Sequence, residues 1–432
     1  MKKSRGRTGR KRQRKHLQSC MAGVNCSHKL EYIKLKKWLK DRGFQDLNLR
    51  PAEFLDTGRG LMTTRALQVS RDLIISLPEK CLLTTATVLS SCLGEYILKW
   101  KPPVSPLVAL CTFLIAEKHA GEDSLWKPYL DVLPKTYTCC VCLEQDVVSL
   151  LPEPLRKKAQ EQKAMVQELY MSSKAFFSSL QPLFAENTGN IFNYSALEWA
   201  WCTVNTRTIY MKQSQRECFS LEPDVYALAP YLDLLNHSPN VQVKAAFNEQ
   251  TRSYEIQTNS QCKKYEEVFI CYGPHDNQRL LLEYGFVAMD NPHSSVYVSS
   301  DILLKYFPPL DKQRNAKLSI LKDHDFLENL TFGWDGPSWR LLIALRVLCL
   351  GADDFTCWRR TLLGDVISAS NEQQAWNITA KICQFLIEET QHGLLQISQL
   401  KRSKENLRKQ LALVEALCLE ELKILQKSAE IL

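Results

Sequence analysis

PYLDLLNHSP, residues 230–239, decides how this chain is read. Apolar side chains fill most of it and proline closes both ends, yet Asp233, Asn236 and His237 stand inside. Taken alone it is a turn or capped helix whose polar side chains find partners within a core. Its neighbours enlarge that reading. Upstream, YSALEWAWCTVNTR (194–207) carries Leu197, Trp201 and Val204 on one helical stripe and ends at Arg207. Downstream, VQVKAAFN (241–248) and SYEIQT (253–258) are separated by a tight loop and read as a hairpin. EEVFICYG (266–273) reads as a further strand, and NQRLLLEYGF (277–286) as a short helix running into a turn.

Further out the character alternates. LEYIKLKKWLKDRG (30–43) predicts an amphipathic helix ended by Gly43. TGRGLMTTRAL, DLIISLP and CLLTT, between 57 and 85, are short β-type runs. Helical sequence dominates about 86–207, including the lysine- and glutamate-rich stretch 152–180. After about 300 the pattern is helical to the end. PSWRLLIALRVLCL (337–350) places Pro337 at a helix start. A long amphipathic helix is expected from about 394, with Leu400, Leu407, Leu411, Val414, Leu417, Leu422 and Leu425 on its apolar face. The expected organisation is a tail over 1–28, a β-rich unit over 29–300 split by a helical insertion at about 86–207, and a helical domain over 301–432. This is an α+β arrangement, not the alternation of a doubly wound sheet.

The net charge is +8, and the opening MKKSRGRTGRKRQRKH carries nine Lys/Arg and no acid, leaving the rest at about −1. Such a run cannot bury apolar surface and is expected to be disordered. It reads as a nuclear localisation signal, a weak nucleic-acid contact through phosphates, or a solvated tail. No apolar segment follows it, so it is not a secretory signal, and LVALCTFLIA (107–116) is too short to span a bilayer. The chain is expected in cytoplasm and nucleus, as a monomer, with its sixteen cysteines reduced. CCVC (139–142) contains one CxxC pair, but no second pair at metal-ligand spacing follows, so no metal is expected.

Four islands stand out in the β-rich part: TGRGL (57–61), NTR (205–207), DLLNHS (233–238), and the pair CYG (271–273) with EYGF (283–286). TGRGL is a tight turn that exposes backbone groups. It is not the G-x-G-x-x-G of a dinucleotide crossover, and neither a P-loop nor H-E-x-x-H occurs. In order and spacing the islands resemble a SET-domain protein-lysine methyltransferase of the Rubisco large-subunit methyltransferase-like subclass. Asp-Leu-Leu before Asn236, and only Cys349 and Cys357 between 272 and 380, set the chain apart from the histone-directed enzymes with their cysteine-rich zinc segment.

The resemblance implies S-adenosyl-L-methionine as cofactor. It makes Gly58, Arg59 and Gly60 the turn whose backbone holds that donor, and Asn236 and His237 the pair that binds its adenine and amino-acid parts. It makes Tyr272 and Tyr284 catalytic, with Tyr272 beside the transferring methyl and closing both the cofactor site and the lysine channel. Arg207, Asp233 and Tyr254 line that channel or supply carbonyls to it. The partners implied are protein substrates, histone or non-histone. Two other readings stay open: a chromatin- or RNA-binding adaptor on an inactive scaffold, and a protein-histidine methyltransferase.

Overall fold

The computed structural model describes residues 23–46, 48–68, 72–306 and 311–432. The packed chain forms two compact units. One holds the described residues up to Tyr137 together with Met165–Pro274; the other holds Thr138–Ala164 and His275–Leu432.

In the first unit β1 (Val24–Asn25) pairs antiparallel with β2 (Leu49–Phe54), which pairs with β3 (Gly58–Thr63). Gly58 sits at φ +71°, a left-handed conformation that only glycine adopts without strain, and it closes the turn between β2 and β3. β4 (Asp72–Pro78) joins a second sheet. β5 (Thr208–Tyr210) and β6 (Tyr226–Leu228) form a small antiparallel ribbon after the helical insertion. β7 (Asn236–His237) comes next, followed by the hairpin of β8 (Val243–Asn248) and β9 (Ser253–Thr258), and then β10 (Phe269–Ile270). β9 lies between β4 and β8, with Tyr254 and Ile256 buried on one face. β10 pairs in parallel with β7.

The insertion is helical from Thr85 to Arg207. Its helix Pro106–Ala120 starts on proline under a Ser105 cap and is apolar nearly all round. Such a helix has to be buried, and Leu110, Cys111 and Leu114 have no exposed surface. Asn193 caps the helix Tyr194–Arg207, accepting from the Ala196 amide at 2.9 Å.

The second unit is mostly helical around a three-stranded sheet of β11 (Val296–Tyr297), β12 (Thr331–Gly333) and β13 (Gly336–Pro337). Helix Ala369–Ser403 turns back at Lys404–Leu407 into helix Arg408–Ile431. Ile382 and Leu386 thereby share a core with Ile424 and Leu425, and Ile397 shares another with Leu411 and Val414. Among the described residues no helix is long and apolar enough to cross a membrane, and no cysteine forms a disulfide.

Several expectations are corrected. The basic run lies outside the described residues, but the expected tail over 1–28 runs too far, because Val24–Asn25 pairs with β2 and Cys26 is buried. β2 was not expected. CLLTT makes only a single bridge, Leu83 with Leu228. Pro337 lies in β13, and Ser338 caps the helix that follows. The helix expected from 394 is two helices, since folding back buries both apolar faces in shared cores. The compact units part at Pro274, and 138–164 goes with the second because Cys140, Leu143, Leu151 and Leu155 pack with Leu281, Ile397 and Leu411.

Candidate active site

Parallel pairing of β7 with β10 sets Phe269 opposite Asn236 and Ile270 opposite His237. The Ser238 amide donates to the Ile270 carbonyl at 2.9 Å and extends the pairing. Two residues past Ile270 the chain reaches Tyr272, whose amide donates to His237 Nδ1 at 3.0 Å. A ring nitrogen that accepts cannot carry the proton, so neutral His237 bears its hydrogen on Nε2. The Tyr272 hydroxyl donates to the Leu235 carbonyl at 2.7 Å, and its ring lies 5.1 Å from the His237 ring. Tyr272 is thus fixed at both ends to the DLLNHS segment.

The turn TGRGL meets the same segment from the other side. Asn236 Nδ2 donates to the Arg59 carbonyl at 2.9 Å and to Glu267 Oε1 at 2.7 Å. Both amide hydrogens are committed, which leaves Oδ1 as the acceptor the side chain can offer a ligand. The other Glu267 oxygen accepts from Thr57 at 2.6 Å. Burial pushes the Glu267 carboxyl up, and the bonds from Thr57 and Asn236 offset only part of that. Gly60 is required by space: a Cβ there would lie 2.4 Å from Glu267 Oε1 and 2.9 Å from Asn236 Nδ2. The Arg59 side chain reaches the Val132 carbonyl at 2.7 Å. Glu267 and Thr57 also line a cleft of about 900 Å³ bounded by residues 54–57 and 260–269.

Arg207 and Asp233 form a second, drier group. The Asp233 side chain is 3% exposed and Arg207 21%. Arg207 donates to the Asp233 backbone carbonyl at 2.8 Å and lies 4.0 Å from its carboxylate. Tyr129 donates its hydroxyl to the same carboxylate at 2.9 Å. Tyr137 shares a hydrogen bond with Thr203 at 2.8 Å. Burial raises the Asp233 carboxyl despite Arg207. Burial opposes the Arg207 charge, but Asp233 and the hydroxyls of Tyr137, Tyr129 and Tyr272 together drive its pKa up. Asp233 Oδ1 finds no hydrogen-bond donor among the described residues.

The structure therefore brings together Gly58, Arg59, Gly60, Asn236, His237 and Tyr272, and places Arg207 with Asp233 one turn upstream of Asn236. Tyr254 sits on β9 opposite Leu77 and Phe247 and takes no part in the hydrogen bonds above. Tyr284 belongs to the second unit, ends a π-type turn before Gly285, and stacks on His275 at 6.1 Å between ring centres. Burial, with Glu283, raises its phenol. Sequence reasoning missed Glu267, Thr57, Tyr129 and Tyr137. Glu267 carries only a weak signal: with Glu266 it stands immediately before the apolar run Val268–Ile270 that leads to Tyr272.

The residues fit a sulfonium donor with an amino-acid tail. Asn236 Oδ1 and the backbone of the Gly58–Gly60 turn offer acceptors at a place where glycine keeps side chains out. Comparisons with known proteins agree. Residues 58–273 match the SET domain model, and 308–425 match the Rubisco LSMT substrate-binding model. The chain is 65% identical to human SET domain-containing protein 4 over 433 residues, covering 100% of this chain and 98% of that protein. It is 29% identical to fission-yeast ribosomal lysine N-methyltransferase set11 (Schizosaccharomyces pombe) over 247 residues, 56% of this chain and 57% of that one. The structure of Rubisco LSMT bound to sinefungin and monomethyllysine superposes with a TM-score of 0.60 at 21% identity, covering 93% of this chain and 91% of that one.

Proposed function

The chain belongs to the SET-domain methyltransferase family, and from that premise we propose that it is a protein-lysine N-methyltransferase. The donor is S-adenosylmethionine, which supplies a methyl group on a positively charged sulfur. Gly58, Arg59, Gly60, Asn236 and His237 would hold it, with Asn236 Oδ1 offering an acceptor suited to its ammonium group.

The observation that carries the reading is the fixing of Tyr272 between His237 Nδ1 and the Leu235 carbonyl. A hydroxyl whose hydrogen is given to a carbonyl presents its lone pairs to whatever cation lies in front of it. Lysine attacks only as the neutral amine, and its ordinary pKa is about 10.4. A buried channel beside a positive sulfur disfavours the ammonium, so the proton is lost without a dedicated carboxylate base. Asp233 fits that economy, since its Oδ2 is engaged by the Tyr129 hydroxyl with Arg207 4.0 Å away. The Tyr272 oxygen and the Leu235 carbonyl orient the amine's lone pair for in-line attack. Positioning of this kind lowers a barrier by several kcal/mol, up to about 7–11 in ideal cases. Histone and non-histone proteins as acceptors, with residence in cytoplasm and nucleus, belong to the same proposal.

Purified chain incubated with isotopically labelled donor and protein extract, followed by mass-spectrometric mapping, tests it. Label on lysine is expected. Label on histidine would replace the acceptor and keep the methyl transfer. No label, with donor binding intact by calorimetry, would leave a binding scaffold in its place.

A further inference from the structure

The helical unit contains a cavity of about 390 Å³, within the range of about 300–1,000 Å³ that small ligands occupy. Leu150, Pro152, Val296, Ile302 and Leu386 give it apolar walls. Gln278 and Glu421, each 4% exposed, also line it. Gln278 Nε2 donates to Glu421 Oε1 at 2.7 Å. A carboxylate only accepts, so this bond dictates the amide's orientation and leaves Gln278 Oε1 as an acceptor. That oxygen is buried and finds no donor among the described residues. Among the described residues Glu421 receives no cation either. Asp276 adds negative charge nearby, and burial with that repulsion lifts the carboxyl to about 7. Arg156, the one arginine on the lining, donates to the Ser149 carbonyl at 3.3 Å instead. Asp301 and Glu389 are further acids on the wall.

We infer that this cavity receives an arginine side chain of a protein partner, with its guanidinium on Glu421 and Gln278 Oε1. Two linked acceptors deep in an apolar pocket call for a cation with several donors in one plane. A guanidinium presents five in a fixed fork, whereas an ammonium is a strongly hydrated point charge that gives up its water reluctantly. A metal ion fits less well, because the described residues contain no cluster of three or more metal-ligating side chains. That the partner is the methyl acceptor rests on the methyltransferase reading; the site itself does not.

The probe is N-acetyl-arginine methylamide, titrated into the full chain and followed by NMR or calorimetry. Saturable binding is expected, weakened at least about tenfold when N-acetyl-citrulline methylamide, which keeps the shape and loses the charge, replaces it. Glu421→Gln should cause a similar loss. S-adenosylhomocysteine binding, measured in parallel, should be unchanged in that variant. Absence of saturable binding, equal binding of the citrulline or lysine analogue, or wild-type binding by Glu421→Gln would overturn the assignment. A chain that binds the arginine probe but not S-adenosylhomocysteine would keep this site and lose the methyltransferase reading.

Discussion

Asp233 in the first unit and Glu421 in the second are carboxyl groups buried to nearly the same depth, and the protein treats them in opposite ways. Asp233 has Arg207 at 4.0 Å and the Tyr129 hydroxyl at 2.9 Å. Glu421 has one amide donor, Gln278, and an acid for a neighbour. The nearest cation on its helix, Lys423, is taken by Glu420 and Asp290. Burial raises both groups. In the first case a positive partner meets the charge, and in the second the proton itself must do so until some cation arrives. The contrast separates a group that holds structure around a site from one that waits for a ligand.

The sharpest way to break this comparison is to remove each acid. Asp233→Ala leaves Arg207 only the backbone carbonyl and strands the Tyr129 hydroxyl in a dry region, and truncating one partner of a buried pair costs about 3–5 kcal/mol. The expected result in a denaturant titration is a loss of that size. A loss under 1 kcal/mol would mean that the pair is hydrated and Asp233 unimportant to the fold. Glu421→Gln should act in the other direction. Native Glu421 keeps its proton up to about pH 7, while the unfolded chain loses it near the ordinary value of 4.5. Between those values the native state holds more protons, so its stability falls as pH rises from about 5 to 7 and levels off above. The shift corresponds to about 3 kcal/mol at most. Glutamine keeps the bond from Gln278 without the charge. Unfolding curves at pH 5 and pH 8 should therefore show the variant equal to wild type at the lower pH and more stable at the higher.

Tyr272→Phe sharpens the functional half. It removes the bond to the Leu235 carbonyl but leaves the backbone bond to His237 and the apolar ring. Turnover should fall about 100-fold, the scale of losing one preorganised polar contact at a reacting centre. The S-adenosylhomocysteine dissociation constant should move less than about threefold. Comparable losses in both would make Tyr272 a donor-binding residue and not an orienting one.

How much of this was legible in the sequence depends on whether a feature is local. The glycine turn, the helix over 194–207 and the β8–β9 hairpin are written in a few adjacent residues, and they read correctly. Asn236, His237 and Tyr272 could be named because each sits in a short recurring island. β2 was missed because LRPAEF has neither strict alternation nor β-branched side chains, and its strand character comes from β1 and β3 on either side. The break at Lys404–Leu407 was invisible because leucines continue at helical spacing through it, and only packing against helix Ala369–Ser403 decides where the chain turns back. Glu267, Tyr129 and Gln278 contact residues 31, 104 and 143 positions away. No periodicity in a single sequence encodes such pairings.

Gly60 gives the smallest and most local test. Its missing side chain is what allows the Glu267 carboxylate and the Asn236 amide to close over the turn. In Gly60→Ala the new methyl would lie 2.4 Å from Glu267 Oε1 and 2.9 Å from Asn236 Nδ2, and the flexible ends of both side chains have to shift. Asn236 then loses the Glu267 acceptor that fixes its amide orientation. Because only flexible side-chain ends are displaced at the edge of a cleft, the melting temperature should change little. Affinity for S-adenosylhomocysteine should drop about tenfold, or about 1.4 kcal/mol. A second variant, Glu267→Gln, distinguishes crowding from charge: glutamine can still accept from Asn236, so donor affinity should stay near wild type. If Glu267→Gln instead matched Gly60→Ala, the negative charge and not the amide's orientation would be what the donor senses.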